Sequence, residues 1–164
     1  MIDRWQASID ITPALVRFAT LAGRWTDFTP VLGGRVDTAA RNLIRRQFET
    51  EGRAGVGPGW EKLSKRYVEE ERDPAGAPIL QQTRGLMEAL TQRGHGDQDL
   101  ILEPEVYSLT IAEDAETHPR FMGHQYGVPR KNVPQRQVIP DPLPKTFITE
   151  IRKIVRSYVV YGKK

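Results

Sequence analysis

The sequence predicts an α+β fold, with long amphipathic helices at both ends packed on a small antiparallel sheet, on three observations. Apolar residues recur at helical spacing over residues 28–48 and again over 143–158. Residues 106–111 alternate apolar and polar side chains, the pattern of a half-buried strand. Glycine and proline crowd residues 51–59, where a backbone short of donors and torsional restraint supports only a loop. At 164 residues, 38% hydrophobic and 27% charged, the chain is long enough for one modest domain, 1–164, with a single core.

Each element follows in chain order. Ser8, Ile9, Asp10 and Ile11 alternate and read as a short strand. Thr12 and Pro13 supply the cap and first-turn residue of a helix running to about Trp25. Leu15, Val16, Phe18, Ala19 and Ala22 fall at helical intervals in it, and Gly23 stands near its end. A second helix begins at Thr26 or Asp27 with Pro30 in its first turn. Its stripe is Phe28, Val31, Leu32, Val36, Ala39, Ala40, Leu43, Ile44 and Phe48, while Arg35, Arg41, Arg45 and Arg46 lie mostly off that stripe as a basic outer face. The Gly/Pro-rich loop, about residues 51–60, is expected to be mobile and to order against a partner.

Residues 63–71 suit a short charged helix, broken at Asp73, Pro74, Ala75 and Gly76, with another helical stretch over about 79–91. Residues 100–102 and 106–111 flank Glu103, Pro104 and Glu105 and read as a hairpin, with Tyr107, Leu109 and Ile111 on one face. Pro119, Pro129 and Pro134 leave room for at most one short helix before an extended crossing segment. Asp141 and Pro142 open a final helix, about 141–160. Leu143, Phe147, Ile148, Ile151, Ile154, Val155 and Tyr158 form its stripe, and Lys145, Arg152, Lys153 and Arg156 point elsewhere.

Charge is unevenly placed. The net charge is +3, yet residues 97–116 hold seven acids and no Lys or Arg, and residues 120–164 hold ten basic residues against two acids. Complementary segments of this kind suit head-to-tail contact between subunits, or pairing within one subunit. The absence of cysteine excludes disulfides, zinc ribbons and thiol nucleophiles. The first ten residues lack the basic-then-apolar order of a secretory signal, and no stretch approaches the roughly 20 apolar residues that span a bilayer. A soluble protein without membrane contact is expected.

The search for chemistry returns little. Gly55, Val56, Gly57, Pro58 and Gly59 run into Trp60, Glu61 and Lys62 rather than the Gly-Lys-Ser/Thr of a phosphate loop, and Pro58 removes a donor where donors are the function. Glu113, Asp114, Glu116, His118 and His124 match no metal-ligand spacing, and a solvated turn beside a structural histidine accounts for them. No Gly-x-Ser-x-Gly elbow occurs, and no pair of acids is singled out for hydrolysis. The expectation is a protein that is not an enzyme and holds no cofactor and no metal. The basic helix, with Arg130, Lys131 and Arg136 upstream, is open to three readings: a solvated face, a protein interface, or contact with DNA phosphates.

Five segments in order carry a resemblance. They are Gln47 through Gly52 (QFETEG); Trp60 through Ser64 (WEKLS); Leu80 through Leu86 (LQQTRGL); Phe121 through Gly127 (FMGHQYG); and Val133 through Arg136 (VPQR), followed by the last helix. Together they cover nearly the whole chain, and the sequence resembles the phage virion morphogenesis family, the tail completion proteins of Mu-like and related contractile-tailed phages. One departure is Arg84, which stands directly after Thr83 where the family usually has glycine; Gly85 follows one position later.

The resemblance implies a virion structural protein of the neck, assembled in the host cytoplasm. It implies partners in copies of itself, forming a ring, most simply sixfold, and in the tail terminator or tail tube and head connector proteins. Trp60, Leu63, Thr83, Leu86, His124, Gly127, Pro134 and Arg136 become candidate interface residues, and Arg130, Lys131, Arg152, Lys153 and Arg156 candidate contacts for DNA or an acidic partner. Trp60 reads as an apolar anchor for its own core or for a neighbour. His124 and Gly127 read as a helix end, where imidazole caps carbonyls and glycine takes positive φ. Arg136 reads as a fork for a carboxylate. The alternative is a small basic module that grips nucleic acid at the neck.

Overall fold

The computed structural model describes residues 12–63, 79–80, 84–128 and 134–163. The strand expected at residues 8–11, the charged helix after Leu63 and the turn at Asp73–Gly76 lie outside them. Helix α1 spans Thr12–Thr26. A second helical run starts as α2, Thr29–Val31, passes through a π-helical turn, Leu32–Val36, and continues as α3, Asp37–Glu49. Pro30 occupies its first turn, where no N–H is required. Gly33 sits inside the π turn, and a β-carbon there would lie 3.1 Å from Leu102 Cδ1, so glycine lets the hairpin approach the helix.

Helix α4, Gly85–Thr91, is shorter than the expected stretch over 79–91. The reason is local: Leu80 (φ 60°) and Arg84 (φ 57°) both take the left-handed conformation, which a right-handed helix cannot contain. Strands β1, Gln98–Glu103, and β2, Val106–Ile111, pair antiparallel with Glu103 opposite Val106, which leaves Pro104 and Glu105 as the turn. Helix α5, His118–Tyr126, starts with proline in its first turn and stops at Gly127, φ 76°. An extended segment over 134–137 follows. Helix α6 is Lys145–Tyr161, not a helix opened by Asp141 and Pro142. Residues 141–142 form a bend, the Asp141–Pro142 peptide is cis, and Pro144 stands at the N-cap. Leu143, expected on the stripe, is exposed.

Two hydrophobic clusters share the long helical run. Ile44 and Phe48 meet Leu86, Leu90, Leu109, Ile111, Phe121 and Val138 in the first. Val31, Leu32, Val36 and Ala39 meet Ile154, Tyr158 and Val159 of α6 in the second. Tyr107 packs against both and joins them. The α+β architecture stands as expected, but its packing differs in one respect. The terminal helices α1 and α6 lean on each other, and α6 also lies on the α2–α3 run; α4 and the π turn cover the sheet. The Tyr158 hydroxyl donates to the Asp27 carbonyl at 3.0 Å, and Arg24 Nη1 donates to the Val159 carbonyl at 3.3 Å, which fixes the end of α1 against the end of α6.

Candidate interaction surfaces

The corner around Trp60 is built from inside the subunit. Gly52, at φ 90°, donates its N–H to the Gln47 carbonyl at 2.8 Å and turns the chain out of α3. Trp60 then returns, its N–H donating to the Glu51 carbonyl at 2.6 Å. Its indole stands edge-on to Phe48 at 5.6 Å, and Nε1 donates to the Gln137 carbonyl at 3.0 Å. Trp60 therefore docks on its own core, and the chain folds back through hydrogen-bonded turns over 51–54 and bends over 55–58.

Buried amides hold the crossing segment. Gln47 Nε2 donates to the same Gln137 carbonyl at 2.9 Å. Gln125 behaves as one peptide unit of a missing strand: Oε1 accepts from the N–H groups of Val138 and Ile139, both at 2.9 Å, and Nε2 donates to the Ile139 carbonyl at 2.8 Å. Each bond satisfies a group that burial would otherwise strand. Gln47 and Gln125 fall inside two of the resembling segments, but spacing gives neither a role, since a glutamine on a helix is by default a surface residue. Between Gln47, Trp60, Gln135, Gln137, Asp141 and the glycine turns lies an open cleft of about 310 Å³. Its lining mixes the amides of Gln47, Gln135 and Gln137 and the Asp141 carboxylate with Val56, Pro58 and the Trp60 ring.

The sequence reading also placed Arg41 on the outer face, and there the structure corrects it. Asp37, Arg41, Ile44 and Phe48 share one helical face and all are buried. Arg41 Nε donates to Asp37 Oδ1 at 2.8 Å; its Nη1 reaches the Gln92 carbonyl at 3.1 Å and its Nη2 the Gln98 side chain at 2.8 Å. Arg41 thus caps the end of α4 and ties it to β1 and α3. Asp37 is completed by the Tyr107 hydroxyl at 2.9 Å and by Arg93 Nε at 2.6 Å on Oδ2. Burial, and then the bond to Asp37, holds the Tyr107 phenol well above its ordinary value of 10.0.

The remaining candidates divide by depth. Leu86 and Arg136 are buried; Leu63, His124 and Pro134 are half-buried. Arg136 Nε donates to the Glu61 backbone carbonyl at 3.2 Å, and its own N–H donates to the His124 carbonyl at 2.6 Å. The guanidinium thus reaches a carbonyl of its own subunit. Gly127 takes the expected positive φ, but the imidazole does not cap: His124 Nδ1 is buried with no hydrogen bond. Burial, with Arg136 beside it, lowers the His124 pKa below its ordinary 6.5. Thr83, Arg130 and Lys131 lie outside the described residues. Arg152, Lys153 and Arg156 are exposed on α6 with Lys145, and carry no ion pair among the described residues. No group of three or more His, Asp or Glu side chains among the described residues is placed to hold a metal ion.

What remains is surface, and it is unusual on α1. Leu15, Val16, Phe18 and Trp25 are 58%, 61%, 69% and 63% exposed, whereas Leu21 and Arg24, on the side facing α6, are half-buried. The apolar stripe read from the sequence therefore exists, but it faces away from the subunit. No helix among the described residues is long and apolar enough to cross a membrane. No family model, curated protein or solved structure matches the chain.

Proposed function

We propose that this chain is a structural subunit of a tailed-phage neck, a tail completion or head-tail joining protein that works by assembling with copies of itself. The observation that carries the reading is the outward apolar stripe of α1, where Leu15, Phe18 and Trp25 share one side of the helix and are each more than half exposed. Patches of this kind are surfaces for other proteins, because burying each such side chain contributes about 1.5–3 kcal/mol. The five ordered sequence segments direct that general property toward the phage neck. A ring between head connector and tail tube needs heterologous contacts, and an acidic hairpin and a basic last helix on one chain supply unlike surfaces. The test is genetic and structural. Particles made without this gene should accumulate as separate heads and tails, and adding the purified protein should join them; joined particles in its absence sink the proposal.

A second reading rests on the row Arg152, Lys153 and Arg156, exposed on α6 without ion pairs among the described residues. Such a row neutralises DNA phosphates passing through a neck. The two readings are compatible, and the salt dependence treated below separates them.

A further inference from the structure

We infer that the outward stripe of α1 docks on the outer face of the β1–β2 hairpin of a second copy of this chain. This deepens the ring reading above and rests on it for the closure of the assembly, though not for the contact itself.

The sheet has two strands, and one of its faces is covered by the subunit's own core. The other is not. Along β1, Asp99, Ile101 and Glu103 alternate outward, and the register sets Thr110, Ser108 and Val106 opposite them. Ile101 is 44% and Val106 43% exposed, so two apolar side chains lie diagonally on that face, Ile101 between Asp99 and Glu103 and Val106 opposite Glu103. A helix laid on an uncovered sheet face is the elementary packing of an α+β layer. The helix available for it is α1, whose Leu15, Phe18, Ala22 and Trp25 recur at one-turn and two-turn spacings on the exposed side.

Charge selects the pairing. On α1 the exposed charge is Arg17, since Arg24 is turned to α6 and bonded to the Val159 carbonyl, and the outer hairpin face presents Asp99 and Glu103 with no Lys or Arg. Two α1 helices brought together would set like charges side by side, and two hairpins likewise. Helix on hairpin joins basic apolar to acidic apolar surface. The two surfaces differ, so the contact is heterologous: each copy gives a helix and receives one, which propagates around a ring or along a filament.

Two variants break one side each. Leu15→Asp with Phe18→Asp spoils the helix, and Ile101→Lys with Glu103→Lys spoils the hairpin; all four positions are exposed, and circular dichroism checks the fold. In sedimentation velocity the unaltered protein should associate with rising concentration, and each double variant alone should lose at least about tenfold in association constant. Mixed in equal amounts, the two should form a one-to-one dimer and stop there, since one intact helix meets one intact hairpin. An unaltered protein that stays monomeric, a hairpin variant that still associates through helix-to-helix contact, or a mixture that fails to pair overturns the inference. Because the chain has no cysteine, a second measurement is clean. A flexible bismaleimide should join Phe18→Cys protein to Ile101→Cys protein, and not Phe18→Cys to itself; the reverse result, or no product, counts against the contact. Failure here with normal joining of heads to tails removes the contact and leaves the neck assignment standing. Success here without joining does the opposite.

Discussion

Asp37 and Arg41 stand one turn apart on α3 with Nε and Oδ1 at 2.8 Å, and their side chains are 2% and 4% exposed. The pair sits where the two hydrophobic clusters meet, so its charges are held in a nearly dry place and every bond they make is internal. Arg93 also touches Asp37, but its side chain is 55% exposed. Burial decides which partner matters. Asp37→Ala strands a buried guanidinium and should cost about 3–5 kcal/mol in urea unfolding. Arg93→Ala, screened by water, should cost about 0–1 kcal/mol. Equal losses for the two would contradict this account. Tyr107→Phe removes a single bond to a carboxylate and should fall between them, at about 1–2 kcal/mol.

The Trp60 corner gives a prediction that separates core from interface. Trp60→Ala removes the edge contact with Phe48 and the bond to Gln137, and should lower stability by about 3 kcal/mol in the isolated subunit. Gly52→Ala should be comparably harmful, since the new β-carbon would sit 2.8 Å from the Trp60 backbone nitrogen at φ 90°. Urea unfolding followed by far-ultraviolet circular dichroism reads both. A Trp60→Ala subunit of unchanged stability that no longer assembled would place the residue at a contact between copies.

His124 makes stability depend on pH in a known direction. The unfolded chain takes up a proton near the ordinary 6.5, while the folded chain, with the ring desolvated and Arg136 nearby, does so only at lower pH. Between those two values the unfolded state binds more protons, so stability falls as pH drops through 6.5 and is insensitive to this group above it. His124→Phe should remove that part of the acid dependence. The comparison of urea midpoints for both proteins, at about pH 7.5 and about pH 5.5, checks it. A parallel loss in the two would exclude His124 as the source.

Arg84 carries a cost that glycine would lift. It is exposed and left-handed at φ 57°, at the position just before α4. Arg84→Gly should raise stability by roughly 0.5–1 kcal/mol, the relief of the left-handed conformation less the added freedom of the unfolded chain. A destabilised variant in thermal unfolding would show that the arginine side chain makes a contact worth more than its backbone costs.

Should α6 contact DNA, its cations set the salt dependence. Three or four phosphate contacts by Lys145, Arg152, Lys153 and Arg156 imply a loss of duplex affinity on the order of 100-fold between about 0.05 M and 0.2 M salt. Replacing Arg152 and Arg156 by Gln should flatten that slope by about two charges. Binding no tighter than that of a neutral protein at about 0.15 M salt removes the DNA reading and leaves the basic face to protein or solvent.

Periodicity carried much of this fold because backbone geometry repeats whatever lies beyond. The apolar residues of the second helix, the register of the hairpin and the stop at Gly127 are local consequences of side-chain spacing and glycine torsions. Helix edges failed where one residue's torsions decide, as at Arg84 before α4 and at Pro144, extended at ψ 138°, before α6. The candidate surface was half legible. The stripe on α1 could be read, but not the direction in which it points.

By itself the sequence determined the α+β class, the amphipathic helices, the hairpin and the separation of acidic from basic segments, all of which depend on neighbours within a turn or a strand pair. Only the tertiary structure decided that Asp37, Arg41, Gln47 and Gln125 are buried, that Trp60 turns inward, and that the apolar face of α1 turns outward. The physical reason is the same throughout. A polar side chain enters a core, or an apolar one stays in water, according to which distant groups reach it, and nothing in local spacing records that meeting.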